Sequence, residues 1–244
     1  MVFKGINSET INGLIICKEP PISSSSKRIN EIKINGKNGT IVEELGYEPC
    51  TKPVEIGLTQ NANINDILSY FSGSGHLTFN CESDKYYRAS VYSGIDLNKL
   101  LRYRTGKVEF YCQPFKYDIN DKFEVVMNSI INEGNIYSEP IIRLEKQNDL
   151  IIDVTINNVR FKYTFDTNDT YVEIDCEEMS AEFEGLNRNR NLEIGLDFPR
   201  LEVGTNAITK HDGDAIIKIK RRNRWLWLKY SMQLIKSLIQ LEIL

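Results

Sequence analysis

Apolar side chains in this chain recur at every second position in short runs, and that spacing restricts what it can fold into. Val108, Phe110 and Cys112 alternate with Lys107, Glu109 and Tyr111, which turns one side of an extended segment to a core and the other to solvent. Pro114 follows, and because proline has no N–H to donate, the strand is expected to end there. Leu14–Cys17, Glu31–Ile34, Val54–Leu58, Leu77–Cys81 and Arg88–Tyr92 repeat the pattern between clusters of Asn, Gly, Asp and Ser. The rhythm predicts a mainly β chain built as sandwiches.

Helices are few. Asn63 is placed to cap a segment whose Ile64, Ile67, Leu68 and Phe71 follow helical spacing, with Gly73 just beyond its end. Asp96–Arg102 is a second short candidate.

Polar residues at 118–122 and again over 128–140, with Pro140, separate two β-rich blocks. The expected division is 1–125, 126–226 and an apolar extension over 227–244. The second block opens on a hairpin. Val154 and Ile156 alternate into Asn157-Asn158, which tolerates positive φ, and Val159, Phe161, Tyr163 and Phe165 alternate back out. Tyr171–Cys176, Leu192–Ile194 and Ala215–Lys220 supply further strands.

At 244 residues the chain is long enough to bury a substantial core. Its formal charge is −4, and all of the imbalance falls after residue 125: 15 Lys+Arg against 15 Asp+Glu before it, 15 against 19 beyond it. Phosphate neutralisation needs a basic face, so specific nucleic-acid binding is not expected. The one dense basic run, Lys218, Lys220, Arg221, Arg222 and Arg224, reads as a solvated strand edge. Five cysteines, Cys17, Cys50, Cys81, Cys112 and Cys176, include no Cys-x-x-Cys pair, and reduced, mostly buried thiols are expected. With no charged-then-apolar leader and no run of eighteen apolar residues, neither a signal peptide nor membrane insertion is expected, and folding is expected in the cytoplasm.

Nothing points to catalysis. The two histidines, His76 and His211, read as turn residues beside Gly73-Ser74-Gly75 and Asp212-Gly213-Asp214. The acidic stretch from Asp166 to Glu184 lacks the glycine and distal glutamate of an EF-hand loop. It reads as turns with solvated acids, able to meet the 218–224 run of a neighbouring subunit. Catalytic residues, metal ligands and cofactors are therefore expected to be absent.

The Val108 strand, read together with Phe3-Lys4-Gly5-Ile6-Asn7-Ser8, Gly36-Lys37-Asn38-Gly39, Leu68-Ser69-Tyr70-Phe71-Ser72-Gly73-Ser74-Gly75 and Asp84-Lys85-Tyr86-Tyr87-Arg88-Ala89, resembles the distal tail protein family of long-tailed phages. The resemblance continues through Asn132-Glu133-Gly134-Asn135, Ser138-Glu139-Pro140, Ile174-Asp175, Phe198-Pro199-Arg200-Leu201, Gly204-Thr205-Asn206 and Arg221-Arg222-Asn223-Arg224-Trp225-Leu226. It thus spans about residues 1 to 226 in collinear order.

The resemblance implies an N-terminal β-sandwich that forms a hexameric ring, a C-terminal galectin-like β-sandwich, and a structural role in the virion tail. The implied partners are other copies of the chain, a tail tube protein, a tail-associated hub protein, and receptor-binding or baseplate proteins. A closed ring needs two different patches on each subunit. Aromatic content and expected exposure nominate Lys27 and Arg28 at the end of the Ser23–Ser26 loop, Tyr86, Tyr87 and Arg88, and Phe115 and Tyr117. The loop itself reads as a mobile segment or an arm ordered by a neighbour. In the extension, Trp227, Ile235, Leu238 and Ile239 are candidates for docking a partner, although Glu242 breaks the helical stripe. The alternative function is a carbohydrate-binding module, which would stack a sugar on an exposed Trp or Tyr.

Overall fold

The computed structural model describes residues 1–21 and 23–226. The fold is mainly β, and it divides into two compact units. Met1–Tyr117 and Leu226 belong to the first, Asp118–Trp225 to the second.

The first unit holds β1 (Val2–Phe3), β2 (Ile6–Asn7), β3 (Leu14–Lys18), β4 (Lys27–Ile32), β5 (Ile41–Tyr47), β6 (Cys50–Leu58), β7 (Gly73–Thr78), β8 (Lys85–Val91) and β9 (Thr105–Asp118). Its main sheet runs β2-β1-β7-β8-β9-β6-β3, while β4 and β5 pair only with each other. Val108, Phe110 and Cys112 face the core as the alternation requires. The strand does not stop at Pro114, however. The β6–β9 register runs from Gly57↔Thr105 to Cys50↔Cys112, so the missing proline N–H falls outside that ladder and β9 continues to Asp118.

The helix α1 (Ile64–Tyr70) begins at Asn63, whose side chain accepts the Asn65 N–H at 3.1 Å. It turns Ile67 and Tyr70 inwards, where Tyr70 meets Phe3 edge-on at 6.1 Å and Phe3 meets Phe110 at 5.0 Å. The helix α2 (Leu97–Tyr103) is capped by Asp96, which accepts the Lys99 N–H at 3.0 Å, and buries Leu100. Each fully buried Ile, Leu or Phe of this core contributes about 1.5–3 kcal/mol over an exposed one.

The second unit is a two-sheet sandwich. Its strands are β10 (Glu124–Val126), β11 (Ser129–Asn132), β12 (Ile141–Lys146), β13 (Ile151–Ile156), β14 (Val159–Thr164), β15 (Tyr171–Asp175), β16 (Ser180–Phe183), β17 (Leu186–Asn187), β18 (Leu192–Ile194), β19 (Gly204–Asp212) and β20 (Ala215–Lys220). One sheet runs β10-β20-β12-β15-β16-β17, the other β11-β19-β13-β14-β18. Ile142, Leu144, Val172, Ile174, Ile217 and Ile219 from the first face Ile152, Val154, Ile156, Phe161, Tyr163 and Ile208 from the second, the inward-outward alternation of packed sheets. The hairpin at Asn157-Asn158 forms as read: Ile156 pairs Val159 and Asn157 has φ of 52°.

Several expectations shift. Residues 118–125 lie in the second unit, because Glu124–Val126 pairs with β20. His76 stands in β7 opposite Arg88 rather than in a turn, and His211 lies in β19, bonded to the Thr155 hydroxyl at 2.8 Å. Residues 80–82 form a short 3-10 turn, so the strand read at Leu77–Cys81 ends at Thr78. Cysteines 112 and 176 are buried, whereas Cys17 and Cys81 are exposed and Cys50 is half-buried; β3 and the 80–82 turn lie at the margin of the core rather than within it.

Candidate functional site

The strands β4 and β5 form a ribbon whose residues are exposed along almost its whole length. A bulge between Arg28 and Ile29 shifts its register, which then continues Ile29↔Glu44, Asn30↔Glu43, Glu31↔Val42 and Ile32↔Ile41. Strand alternation would give such a ribbon one apolar and one polar face if it lay on a core. Here Ile29 and Val42 lie on one face and Ile32 and Ile41 on the other, each 44–52% exposed. Neither core cluster contains a ribbon residue. A two-stranded ribbon is at best marginally stable in water by itself, so this arm has the chemistry of a segment completed by another surface.

The arm is held at its root. Tyr47 meets Phe115 edge-on at 5.4 Å, the Glu48 N–H donates to Ser26 O at 2.8 Å, and Ser25 Oγ donates to Pro114 O at 3.0 Å. Lys52, buried, donates to Ser23 Oγ at 2.7 Å and to Ser23 O at 3.1 Å. Ser23 and Ser25 are therefore pinned to their own sheet, and the part that stands out is the ribbon beyond them. Lys27 and Arg28, nominated from sequence, sit where the ribbon leaves this anchor. Lys27 Nζ reaches the Glu44 carboxylate at 2.6 Å and Arg28 Nη2 donates to Leu45 O at 3.0 Å.

The other nominated residues separate. Tyr86, Arg88 and Tyr117 come together with His76: His76 stacks on Tyr86 at 4.0 Å, Tyr86 on Tyr117 at 5.5 Å, and the Arg88 guanidinium lies 4.6 Å from the Tyr117 centroid. Tyr87 points the opposite way, as alternation demands, and is buried beside Phe79 and the Lys52 ammonium. Burial pushes its hydroxyl far above the usual tyrosine range. Tyr117 is buried too, so neither Tyr87 nor Tyr117 offers the exposed ring for which it was nominated. Phe115 is half-buried at the arm root. Trp227, Ile235, Leu238 and Ile239 lie outside the described residues.

The ribbon's apolar side chains, Ile29, Ile32, Ile41, Val42 and Leu45, were not among the sequence candidates. Their pattern resembles that of a core strand. The signal that separates them is the pairing of a polar Ser run on one side with the Gly36-Lys37-Asn38-Gly39 turn on the other, which leaves only a two-stranded element between.

In the second unit the acids and bases satisfy each other within the subunit. Lys218 bonds Glu145 at 2.7 Å, Arg222 grips Asp175 through two bonds of 2.6 Å, Arg224 reaches Glu139 at 2.6 Å, and Arg221 pairs with Glu124. Arg188 bonds Asp169 at 2.6 Å, while Asn191 and Arg190 donate to Asp166. The 218–224 run thus already has acidic partners at home, which removes the reason to expect a neighbour's acids on it. Among the described residues no group of three His, Cys, Asp or Glu side chains is arranged to hold a metal ion. Among the described residues, two aromatic side chains that the alternative reading could use offer no open sugar platform. Trp225 is buried with Nε1 donating to Asp118 at 3.0 Å, and the Tyr171 ring is covered by the Arg143 guanidinium at 3.8 Å.

Residues 133–225 match the family model of the siphovirus-type tail component, C-terminal domain. No curated protein matches the sequence. Among solved structures, the chain resembles the Dit protein of phage SPP1, described as a paradigm of hub adsorption apparatus in phages infecting Gram-positive hosts. The TM-score is 0.66 at 14% identity, over 89% of this chain and 96% of that one. A chain of the phage P2 baseplate in its activated conformation with Ca matches at TM-score 0.48 and 11% identity, over 88% of this chain and 92% of that one.

Proposed function

We propose that this protein is a phage tail component, a distal hub whose first unit closes a hexameric ring, joining the tail tube to the tail tip and to receptor-binding or baseplate proteins. The observation that carries the reading is the anchored ribbon of β4 and β5, which exposes apolar side chains beside acids on both faces and has no core of its own. Cyclic closure requires a heterologous contact, a projecting element on one face and an acceptor on another. The ribbon supplies the first, and the half-buried Tyr86 and Arg88 on β8 contribute to the second. The work of such a ring is geometric.

Light scattering on the purified chain at several concentrations tests this. The expected mass is that of six chains or of two stacked rings. A variant carrying Ile29→Lys and Val42→Lys should fall to a monomer with unchanged circular dichroism. A wild-type monomer at every concentration, or a variant that still assembles, overturns the arm-mediated ring.

A further inference from the structure

Cys50 on β6 and Cys112 on β9 stand directly opposite each other in the antiparallel ladder. Directly opposed residues of such a pair have Cα atoms about 4.5–5.5 Å apart and side chains on the same face. That separation lies inside the range of about 4.4–6.8 Å that a disulfide bridges. Both side chains face the same core: Cys112 lies within it and Cys50 packs against it from its margin. The remaining cysteines have no such counterpart. Cys17 sits at a register shift of β3 and Cys81 in the exposed 80–82 turn, while Cys176 is buried in the core of the second unit.

We propose that Cys50 and Cys112 form an oxidisable staple, open in a reducing cytoplasm and closed by a small disulfide such as oxidised glutathione once the protein enters an oxidising medium. The route follows from exposure. Half-buried Cys50 attacks the small disulfide first, its sulfur bonding one glutathione sulfur while the other leaves as glutathione thiol. Cys112 then attacks the Cys50 sulfur of this mixed disulfide and expels the second glutathione as thiol, so two protein thiols are oxidised and one small disulfide is reduced. Burial pushes the Cys112 thiol up to about 12, which keeps the second step slow at neutral pH and makes it faster as pH rises towards 9.

The staple lies beside the arm root. Tyr47, three residues before Cys50, meets Phe115, three residues after Cys112. Closing it fixes the two strands from which the β4 and β5 ribbon is held, and closes a loop of about 60 residues, long enough for a clear constraint on the unfolded chain.

The test uses the full chain with Cys17→Ser and Cys81→Ser, leaving three thiols. Folded protein is treated with excess oxidised glutathione, denatured in acid, alkylated and mapped by mass spectrometry. The expected result is a peptide linking Cys50 to Cys112, loss of two of the three alkylatable thiols, an unfolding midpoint several degrees higher, and closure that speeds up from pH 7 to pH 9. A third substitution, Cys112→Ser, should leave glutathione on Cys50. A stable Cys50 glutathione adduct with Cys112 still alkylatable, or no thiol loss at all, overturns the proposal, as does a linked peptide that appears only when oxidation is done in denaturant.

Discussion

Single residues set how the second unit responds to acid. Asp175 is partly buried, and burial alone would raise its pKa. Two bonds from Arg222 and the backbone N–H groups of Glu177 and Glu178, at 2.9 and 3.1 Å, outweigh that cost and hold it below the ordinary carboxylate range. A depressed folded pKa contributes stability that is fully present above the unfolded value, about 3.9, and is lost as pH falls through the folded one. Asp175→Asn should therefore lower the unfolding midpoint by a constant amount above about pH 5, with the gap to wild type closing as pH falls below about 4. Thermal unfolding followed from pH 7 to pH 2 measures it. A gap that stays constant to pH 2 would mean that Arg222 stabilises the fold without its partner's charge. None of this was readable from the chain. The acids of 166–184 and the bases of 218–224 stand out as two charged runs, but their pairing depends on β12 lying between β15 and β20, a long-range arrangement that local pattern does not encode.

Elements were legible where local chemistry and tertiary burial agree. Asn63 and Asp96 cap their helices because a short polar side chain satisfies a free N–H whatever the surroundings, and Asn157 turns its hairpin for an equally local reason. The alternation of Val108, Phe110 and Cys112 is read correctly because β9 is covered on one face. The same reasoning fails for Glu31–Ile34, since an apolar strand awaiting a partner looks like one already buried. It fails at Ser72-Gly73-Ser74-Gly75 as well, where glycine marks close approach rather than a bend: a Cβ on Gly75 would lie 2.6 Å from Lys4 Cγ. Turns differ in the same way. Gly213, at φ of 86° between β19 and β20, would place a Cβ 2.2 Å from Ile151 O, whereas Gly36, at φ of 82° beyond the end of β4, has open space around it. Gly213→Ala should thus cost more than about 2 kcal/mol, backbone strain plus a clash with backbone, and Gly36→Ala about 1 kcal/mol from strain alone. Urea unfolding of both variants checks the contrast, and equal costs would contradict it.

At the scale of the whole molecule, the two units carry separate cores. Every residue of the second cluster, from Val126 to Ile219, lies within Asp118–Trp225, and the charged pairs of that unit, Arg222 with Asp175 and Arg188 with Asp169 among them, also close within it. A segment that owns its core and satisfies its own charges has what independent folding requires. The apolar ribbon proposed to build the ring belongs entirely to the first unit. Residues 118–225 expressed alone should therefore unfold cooperatively, with a positive heat-capacity change, and remain monomeric by light scattering at concentrations where the full chain assembles. The full chain carrying Ile29→Lys and Val42→Lys should resemble this fragment in being monomeric while keeping both cores. If the fragment folds but assembles, the ring contact lies in the second unit and the arm must have another partner. If it fails to fold, its stability depends on the first unit, and Asp175→Asn should then lower the unfolding of the whole chain in one transition instead of shifting only the second unit's part of a two-step melt.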